Sequence, residues 1–488
     1  MSEEKKSSAF SGFLRYFYGN FVVLLLGFIS LPLITRFMST DEYGRSGMFT
    51  SAVTVIYIFA ILGMDQTYIR YYYKEGIDRV HLMKQCLYPS VTIVAVLASV
   101  YTLFAEPLNV FLFGESDSLI TLLVIGYTVI SVFERFMFLD IRMQQNGRLY
   151  SNLNILSKLL YIALILGAFY FMGDDFRVVL TAMTVSLGIV TVFITVRYLA
   201  IHKDYRPNAG GEAGSVRYSQ RELVSYGLPF ILVLLMEWLL SSCDKWALRI
   251  WTDYDELGIY NSAMNIMSIL LTFKATFVAF WSPVAMERYE TDTEENCFSF
   301  FEKAFEITQF LCVLAAFGLM MFRGVIVFIL GVSYRSASSV IPFLTLMPIF
   351  SIMFEITNQG IKFKKKNRYL NYASAAAILF NVSGNAILVP KYGGAGAAMA
   401  TGITYIAYFS IGTYFSKKCY PAGYRFKKTM LFAAILLLYA ALTTFSDNWL
   451  YCMAAGTVGI LIVCIADFAV MKEILLFITG IIKKRIYK

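Results

Sequence analysis

Long apolar runs separated by short polar segments dominate this sequence. The runs fall near residues 14–35, 47–64, 86–105, 119–139, 154–172, 178–199, 223–243, 258–281, 304–323, 340–359, 370–389, 395–415, 429–445 and 450–470. About 18 apolar residues with few charges are enough to cross a bilayer as a helix. The pattern therefore predicts an all-α integral membrane protein with about fourteen transmembrane helices. The run at 47–64 is short for a span, as in a tilted helix or a locally thin bilayer. The period-two alternation of a membrane β-barrel is absent. The first run follows Lys5, Lys6 and Arg15; it is longer than a signal-peptide core and lacks an Ala-x-Ala-like site, so it is expected to be a permanent span. The closing stretch KEILLFITGIIKKRIYK is amphipathic and is expected to lie on the membrane surface.

Composition agrees with this reading. Hydrophobic residues make up 58% of the 488 and charged residues 15%, against about 25% charged in soluble domains. Cytoplasmic loops carry an excess of Lys and Arg. With the N terminus placed inside, the inner segments hold Arg70, Lys74, Arg79 and Lys84, the group from Lys362 to Arg368, and the group from Lys417 to Lys428. By this count about 32 basic residues fall inside and about 8 outside, which puts both termini in the cytoplasm. The outer loops are short, Glu106 to Ser118 being among the longest, and none is large enough for a catalytic domain. The seven cysteines form no Cys-x-x-Cys pair and read as small hydrophobes. His81 and His202 are the two histidines, both in polar loops, so no histidine metal site is expected.

A repeat runs through the chain. TRFMSTDEYGRSG (35–47) and IWTDYDELGIYNSA (250–263) each place an Asp-Glu-x-Gly turn ahead of an apolar run, and Tyr18-Gly19 and Tyr226-Gly227 lie upstream of them. Ser39-x-x-Glu42 fits a capping box and Asp253-x-x-Glu256 a looser one. Six predicted helices follow the start of each block. The organisation read from this is a cytoplasmic segment at 1–13, an N-lobe at 14–199, a Gly-, Pro- and Ser-containing cytoplasmic linker at 200–222, a C-lobe at 223–415, helices thirteen and fourteen at 416–470, and a cytoplasmic amphipathic tail at 471–488. An even number of helices per block gives both the same orientation, a parallel pseudo-two-fold repeat.

The TRFMSTDEYGRSG turn resembles the signature turn of polysaccharide and oligosaccharide flippases in the multidrug/oligosaccharidyl-lipid/polysaccharide exporter superfamily. So do YGLPF, CDKW, ELGIYNSAMNI, NQGIKFKKKNR and VPKYGGAGAAMATG, in that order along the chain. The resemblance implies two six-helix lobes with two additional helices, in a multi-pass protein of the bacterial cell membrane. It implies a transporter, not an enzyme, that moves polyprenyl-pyrophosphate-linked oligosaccharides from the cytoplasmic to the outer leaflet by alternating access. The expected partners are that glycan lipid, the bilayer, and polysaccharide polymerase and assembly proteins. No nucleic acid, cofactor or metal is expected.

Such a substrate needs cations for its pyrophosphate and polar groups for its sugars. A charge within a span costs about 2.5–3.5 kcal/mol on insertion scales and so usually has a purpose. Lys274, inside NIMSILLTFKATFVAFW, is the clearest candidate, as a phosphate contact, a lysine snorkelling to the inner interface, or half of an internal ion pair. Arg135 offers a bidentate phosphate contact or an interfacial anchor. Glu134, adjacent but about 100° round the helix, is a candidate for coupling or ion pairing. Glu237, Ser241 and Asp244 share a helical face near Lys245, and line a cavity, couple cation movement or anchor Lys274. Arg36, at the outer end of the first span, is a substrate contact or a snorkelling interfacial residue, and Asn20, Asn381 and Asn385 offer amides to sugar hydroxyls or to neighbouring helices. The lysines at 362–368 fit topology and anionic lipid contact, or attraction of the head group.

No Gly-x4-Gly-Lys-(Ser/Thr) loop is present, so the chain has no ATP phosphate loop of its own. Asp253-Tyr254-Asp255 resembles a sugar-transferase triplet but sits in a short turn without a nucleotide-binding domain. The rivals are a cation-coupled drug exporter of the same superfamily, a peptidoglycan-precursor flippase, and a membrane glycosyltransferase or polymerase. The two additional helices speak against the first, and the short outer loops against the last.

Overall fold

The computed structural model describes residues 3–203, 218–446 and 448–486, with the side chains of 3–18, 20, 477, 478 and 480–486 outside the description. Of the described residues 88% are helical, and no strand occurs among them. It forms two compact units, Met1–Arg249 and Ile250–Lys488. Most of the linker expected at 200–222 falls on 204–217, outside the described residues, and the helix beginning at Gln220 takes its last residues.

The first unit contains α1 (Glu3–Phe37), α2 (Thr40–Ile61), α3 (Met64–Tyr71), α4 (Arg79–Leu103), α5 (Ala105–Phe113), α6 (Ser118–Met143), α7 (Gly147–Met172), α8 (Arg177–Ile201) and nearly all of α9 (Gln220–Trp251). The second contains α10 (Tyr254–Thr291), α11 (Glu294–Met321), α12 (Arg323–Val327), α13 (Ala337–Thr357), α14 (Gln359–Phe363), α15 (Arg368–Cys419), α16 (Phe426–Phe445), α17 (Trp449–Ala466) and α18 (Phe468–Ile486). Twelve helices among the described residues are long and apolar enough to cross a membrane. α15 counts once there but holds two segments across a kink at Gly393, and α1 adds one more, which brings the number to fourteen.

Several boundaries differ from the apolar runs. α2 begins at Thr40, not 47, because the Ser39 hydroxyl accepts the Glu42 N–H and carries the helix back through the polar turn. It stops at Ile61 because Leu62 and Gly63 are both left-handed, with φ 52° and 67°. The short span expected at 47–64 is thus a full 22-residue helix. The loop expected from Glu106 contains α5, tied down by buried Asn109, which accepts from Tyr101 (2.7 Å) and donates to Thr121 (2.8 Å). α10 outruns its apolar core at both ends, and α17 stops at Ala466. α18 begins before the expected tail, and most side chains of that tail lie outside the described residues.

The repeated turn has the same structural job in both units. Ser39 and Asp253 cap α2 and α10, the Asp253 Oδ1 accepting the Glu256 N–H at 2.9 Å. The glutamate of each turn then reaches across its own unit. Glu42 Oε2 accepts the Phe176 N–H at 2.7 Å, just before α8. Glu256 Oε2 accepts the Gly394 N–H at 2.7 Å, just past the kink in α15. Each glutamate pins the turn between the fifth and sixth long helices of its block. Glycine is required at the second latch: Gly393 has φ 51°, and a Cβ on Gly393 or Gly394 would stand 2.8 or 2.9 Å from Glu256 Oε2. Glu256→Ala strands a partly buried N–H, and such a loss costs about 1–3 kcal/mol. A lowered thermal midpoint in micelles, partly restored in Glu256→Gln, is the expected result; an unchanged midpoint would dismiss the latch.

The upstream Tyr-Gly pairs are also packing devices. A Cβ on Gly19 would stand 2.3 Å from the Ser151 side chain, where α1 meets α7. A Cβ on Gly227 would stand 2.7 Å from the Leu62 carbonyl, at the break after α2. Overpacking of this kind costs about 1–3 kcal/mol, so Gly227→Ala is expected to lower the midpoint by a comparable amount, read in the same unfolding experiment.

α13 forms the core of the second unit, with 89% of its span buried and α10, α11, α15 and α16 packed around it. The last helices are joined to each other by Lys428 with Asp467, and to α11 by Arg425 with Glu306 (3.0 Å), Lys303 with Glu473 (2.9 Å), and the Gly423 N–H with Glu302 (2.6 Å).

Candidate functional site

Each unit carries a charged cluster at the end where its lysine- and arginine-rich loops lie. In the first unit the left-handed Leu62-Gly63 break starts α3 afresh and makes Asp65 its second residue, 3% exposed. Arg135 of α6 donates to Asp65 Oδ2 through Nη2 (2.6 Å) and Nε (3.1 Å), and Gln66 Nε2 donates to the same oxygen at 3.0 Å. The other oxygen, Oδ1, is buried with no hydrogen-bond partner. Glu134, next to Arg135 in sequence, forms no ion pair with any described cation. A second buried carboxylate, Asp140, accepts from Tyr68 (2.8 Å) and Gln144 (2.6 Å) and joins α3 to α6.

In the second unit the cluster centres on Glu355, in the last turn of α13. Lys274 Nζ lies 3.1 Å from Glu355 Oε1 and donates to Ser351 Oγ at 2.7 Å. Lys362, from the five-residue α14, lies 3.5 Å from Oε2, and Asn358 Nδ2 donates to that oxygen at 3.1 Å. The side chains of Lys274 and Lys362 are 27% and 28% exposed, so protein leaves part of each uncovered. Glu355 is about 27 Å along α13 from Ala337 at 1.5 Å per residue, close to the ~30 Å thickness of a hydrocarbon core. Lys274 meets it there, so the lysine lies near a membrane boundary although α10 continues well beyond it.

The remaining candidates are placed as follows. Arg36 is exposed at the end of α1, and the Asn20 side chain lies outside the described residues. Asn381 and Asn385 are buried; Asn385 donates to the Asn381 carbonyl (3.0 Å) and side chain (3.2 Å), and Asn381 donates to Thr401 (3.4 Å) across the two halves of α15. Both amide nitrogens donate to protein groups. Glu237 and Ser241 are exposed, Asp244 is 2% exposed and Lys245 is half-buried. The tryptophan of CDKW, Trp246, donates to the Ser51 hydroxyl (2.8 Å), and Trp238 donates to the Ser51 carbonyl (3.2 Å), holding α9 on α2. No group of three or more potential metal ligands occurs among the described residues. Asp65 and Glu355 are partners that sequence reading missed. Asp65 lay just past an apolar run, whereas Glu355 was in view as the lone carboxylate of the 340–359 run.

The profile of the family described as "Polysaccharide biosynthesis protein" matches residues 10–289, more than half of the 488. The chain belongs to that family. An uncharacterized membrane protein of Methanocaldococcus jannaschii is 24% identical over 436 residues, covering 84% of this chain and 85% of the relative. Among solved structures, the lipid II flippase MurJ in an inward closed conformation has a TM-score of 0.64 at 15% identity, covering 93% of this chain and 99% of MurJ. An inward-facing multidrug-resistance MATE transporter of the MOP superfamily has a TM-score of 0.54 at 16% identity, covering 82% and 98%. The fold is therefore that of the exporter superfamily, and the family member described here is a multi-pass membrane protein. MurJ covers more of this chain than the MATE transporter does.

Proposed function

We propose that the protein is a flippase that carries a polyprenyl-pyrophosphate-linked oligosaccharide across the membrane, head group first and lipid tail left in the bilayer. The observation that carries this reading is the pair of partly uncovered lysines, Lys274 and Lys362, gathered around one carboxylate. Ammonium groups are point charges suited to phosphate oxygens, and membership of a polysaccharide biosynthesis family supplies the glycan. The basic loops beside this cluster support a cytoplasmic face, so the head group is taken up from the side on which lipid-linked sugars are assembled and released outside. Both termini are cytoplasmic in this reading, the membrane is the bacterial cell membrane, and polymerase and assembly proteins receive the product. The likeness to a lipid II flippase supports lipid flipping as the mode of transport. Without a phosphate loop, the driving force is an ion gradient, the membrane potential or removal of product.

The reading is tested in cells. When the gene is removed, the lipid-linked oligosaccharide is expected to accumulate beyond reach of an impermeant glycosidase added outside, and re-expression is expected to restore access. Equal access with and without the protein would reject it.

A further inference from the structure

We propose that Glu355 is an internal anion that occupies the diphosphate site when it is empty, and that an arriving diphosphate displaces it from Lys274 and Lys362. This rests on the flippase reading and adds the exchange step to it.

Three features carry the inference. Two lysines from separate elements, α10 and α14, converge on opposite oxygens of a single carboxylate, at 3.1 and 3.5 Å. The three side chains sum to one positive charge, so the site is under-neutralised and attracts an anion richer in charge than a carboxylate. A diphosphate diester, with about two negative charges, matches both ammonium groups; its phosphate oxygens are strong acceptors of the kind that pair with cationic side chains. The pairs are also built to exchange. Both lysines are more than a quarter exposed, while the Glu355 side chain is 13% exposed. An uncovered share of each lysine gives an incoming anion a surface to meet before the carboxylate leaves. Asn358 and Ser351 remain as the polar floor: Asn358 still donates to the released carboxylate, and the Ser351 hydroxyl still meets Lys274. When the head group departs, Glu355 returns to the lysines and resets the site. A salt bridge that served only to join α10 to α13 would need neither a second lysine nor an uncovered surface.

The experiment uses the purified full-length chain in micelles and farnesyl diphosphate as probe, a polyprenyl diphosphate short enough to remain soluble, with binding measured by calorimetry. Removing the competing charge in Glu355→Gln is expected to tighten binding about tenfold, because a site closed by its own anion binds with an affinity reduced by the open fraction. Lys362→Ala is expected to weaken binding about tenfold, and farnesol, which lacks the anion, is expected not to bind. In proteoliposomes Glu355→Gln is expected to flip more slowly, since the carboxylate that expels the head group is gone. Binding by a folded Glu355→Gln that is equal to or weaker than wild type would overturn the proposal. If that variant does not fold, Glu355→Asp decides: its shorter side chain holds the lysines less well, so tighter binding supports the exchange and unchanged or weaker binding overturns it. Failure of both variants to fold would mark the carboxylate as structural and also overturn it. Wild-type protein that flips glycan lipid while Glu355→Gln binds no tighter defeats only the exchange step. Wild-type protein that neither binds the probe nor flips glycan lipid defeats the flippase reading itself.

Discussion

Lys274→Ala is expected to cut the outward appearance of lipid-linked glycan about ten- to a hundredfold. A charge-assisted hydrogen bond contributes about 1.5–3 kcal/mol, and each 1.4 kcal/mol is about tenfold. Little of this loss should come from unfolding. Glu355 keeps Lys362 and Asn358 after the change, and the Lys274–Glu355 pair is partly exposed, so its net contribution is about 1 kcal/mol or less. The variant is therefore expected to insert and purify like wild type, with a thermal midpoint within a few degrees of it. Lys274→Arg keeps the charge but not the compact ammonium that fits between Ser351 and Glu355 at 2.7 and 3.1 Å. It is expected to restore part of the rate. Normal transport by a well-folded Lys274→Ala protein would remove the second-unit cluster from the mechanism.

Arg135→Ala acts on stability instead. Asp65 is 3% exposed and takes two of its three side-chain hydrogen bonds from Arg135, while its Oδ1 has none. Removing the guanidinium leaves a buried carboxylate with one amide donor. Breaking a buried pair in this way costs about 3–5 kcal/mol; because 38% of the Arg135 side chain is exposed, water and other groups offset part of that, and about 2–3 kcal/mol is expected. The expected readout is a clear drop in thermal midpoint and in the yield of monodisperse protein. Asp65→Asn with Arg135→Gln removes both charges and is expected to recover most of the loss. Failure of the double variant to recover would show that the arginine acts through something other than Asp65. Arg135 was one of the cations that sequence alone offered for phosphate; in the structure it pairs with Asp65 and joins α3 to α6.

Much of the fold was legible because hydrocarbon thickness dictates run length, and fourteen runs became fourteen helical segments. The ends were not legible, because hydrophobicity does not set them. Ser39 and Asp253 start α2 and α10 inside polar turns by capping, and Leu62-Gly63 stops α2 through left-handed backbone. The repeated Asp-Glu-x-Gly turn was visible as a pattern, but the partners of its glutamates were not. Phe176 and Gly394 lie 134 and 138 residues away and offer backbone N–H groups, which leave no trace in side-chain chemistry. The site was half legible for a similar reason. Lys274 and Arg135 stand out as charges in apolar runs, but their pairing with Glu355 and Asp65, far along the chain, is a product of packing. Glu355 went unread although the signal was there, since a single carboxylate within an apolar run asks for a cation.

The most direct test of the central claim is flipping by the purified protein. Proteoliposomes would carry a polyprenyl-pyrophosphate-linked oligosaccharide, and its appearance on the far leaflet would be followed with an impermeant lectin or glycosidase. Exposure that requires the protein and falls at least about tenfold in Lys274→Ala is the expected result. No protein-dependent exposure, with proton- or sodium-driven movement of an organic cation by the same vesicles, would contradict it and make the protein a drug exporter.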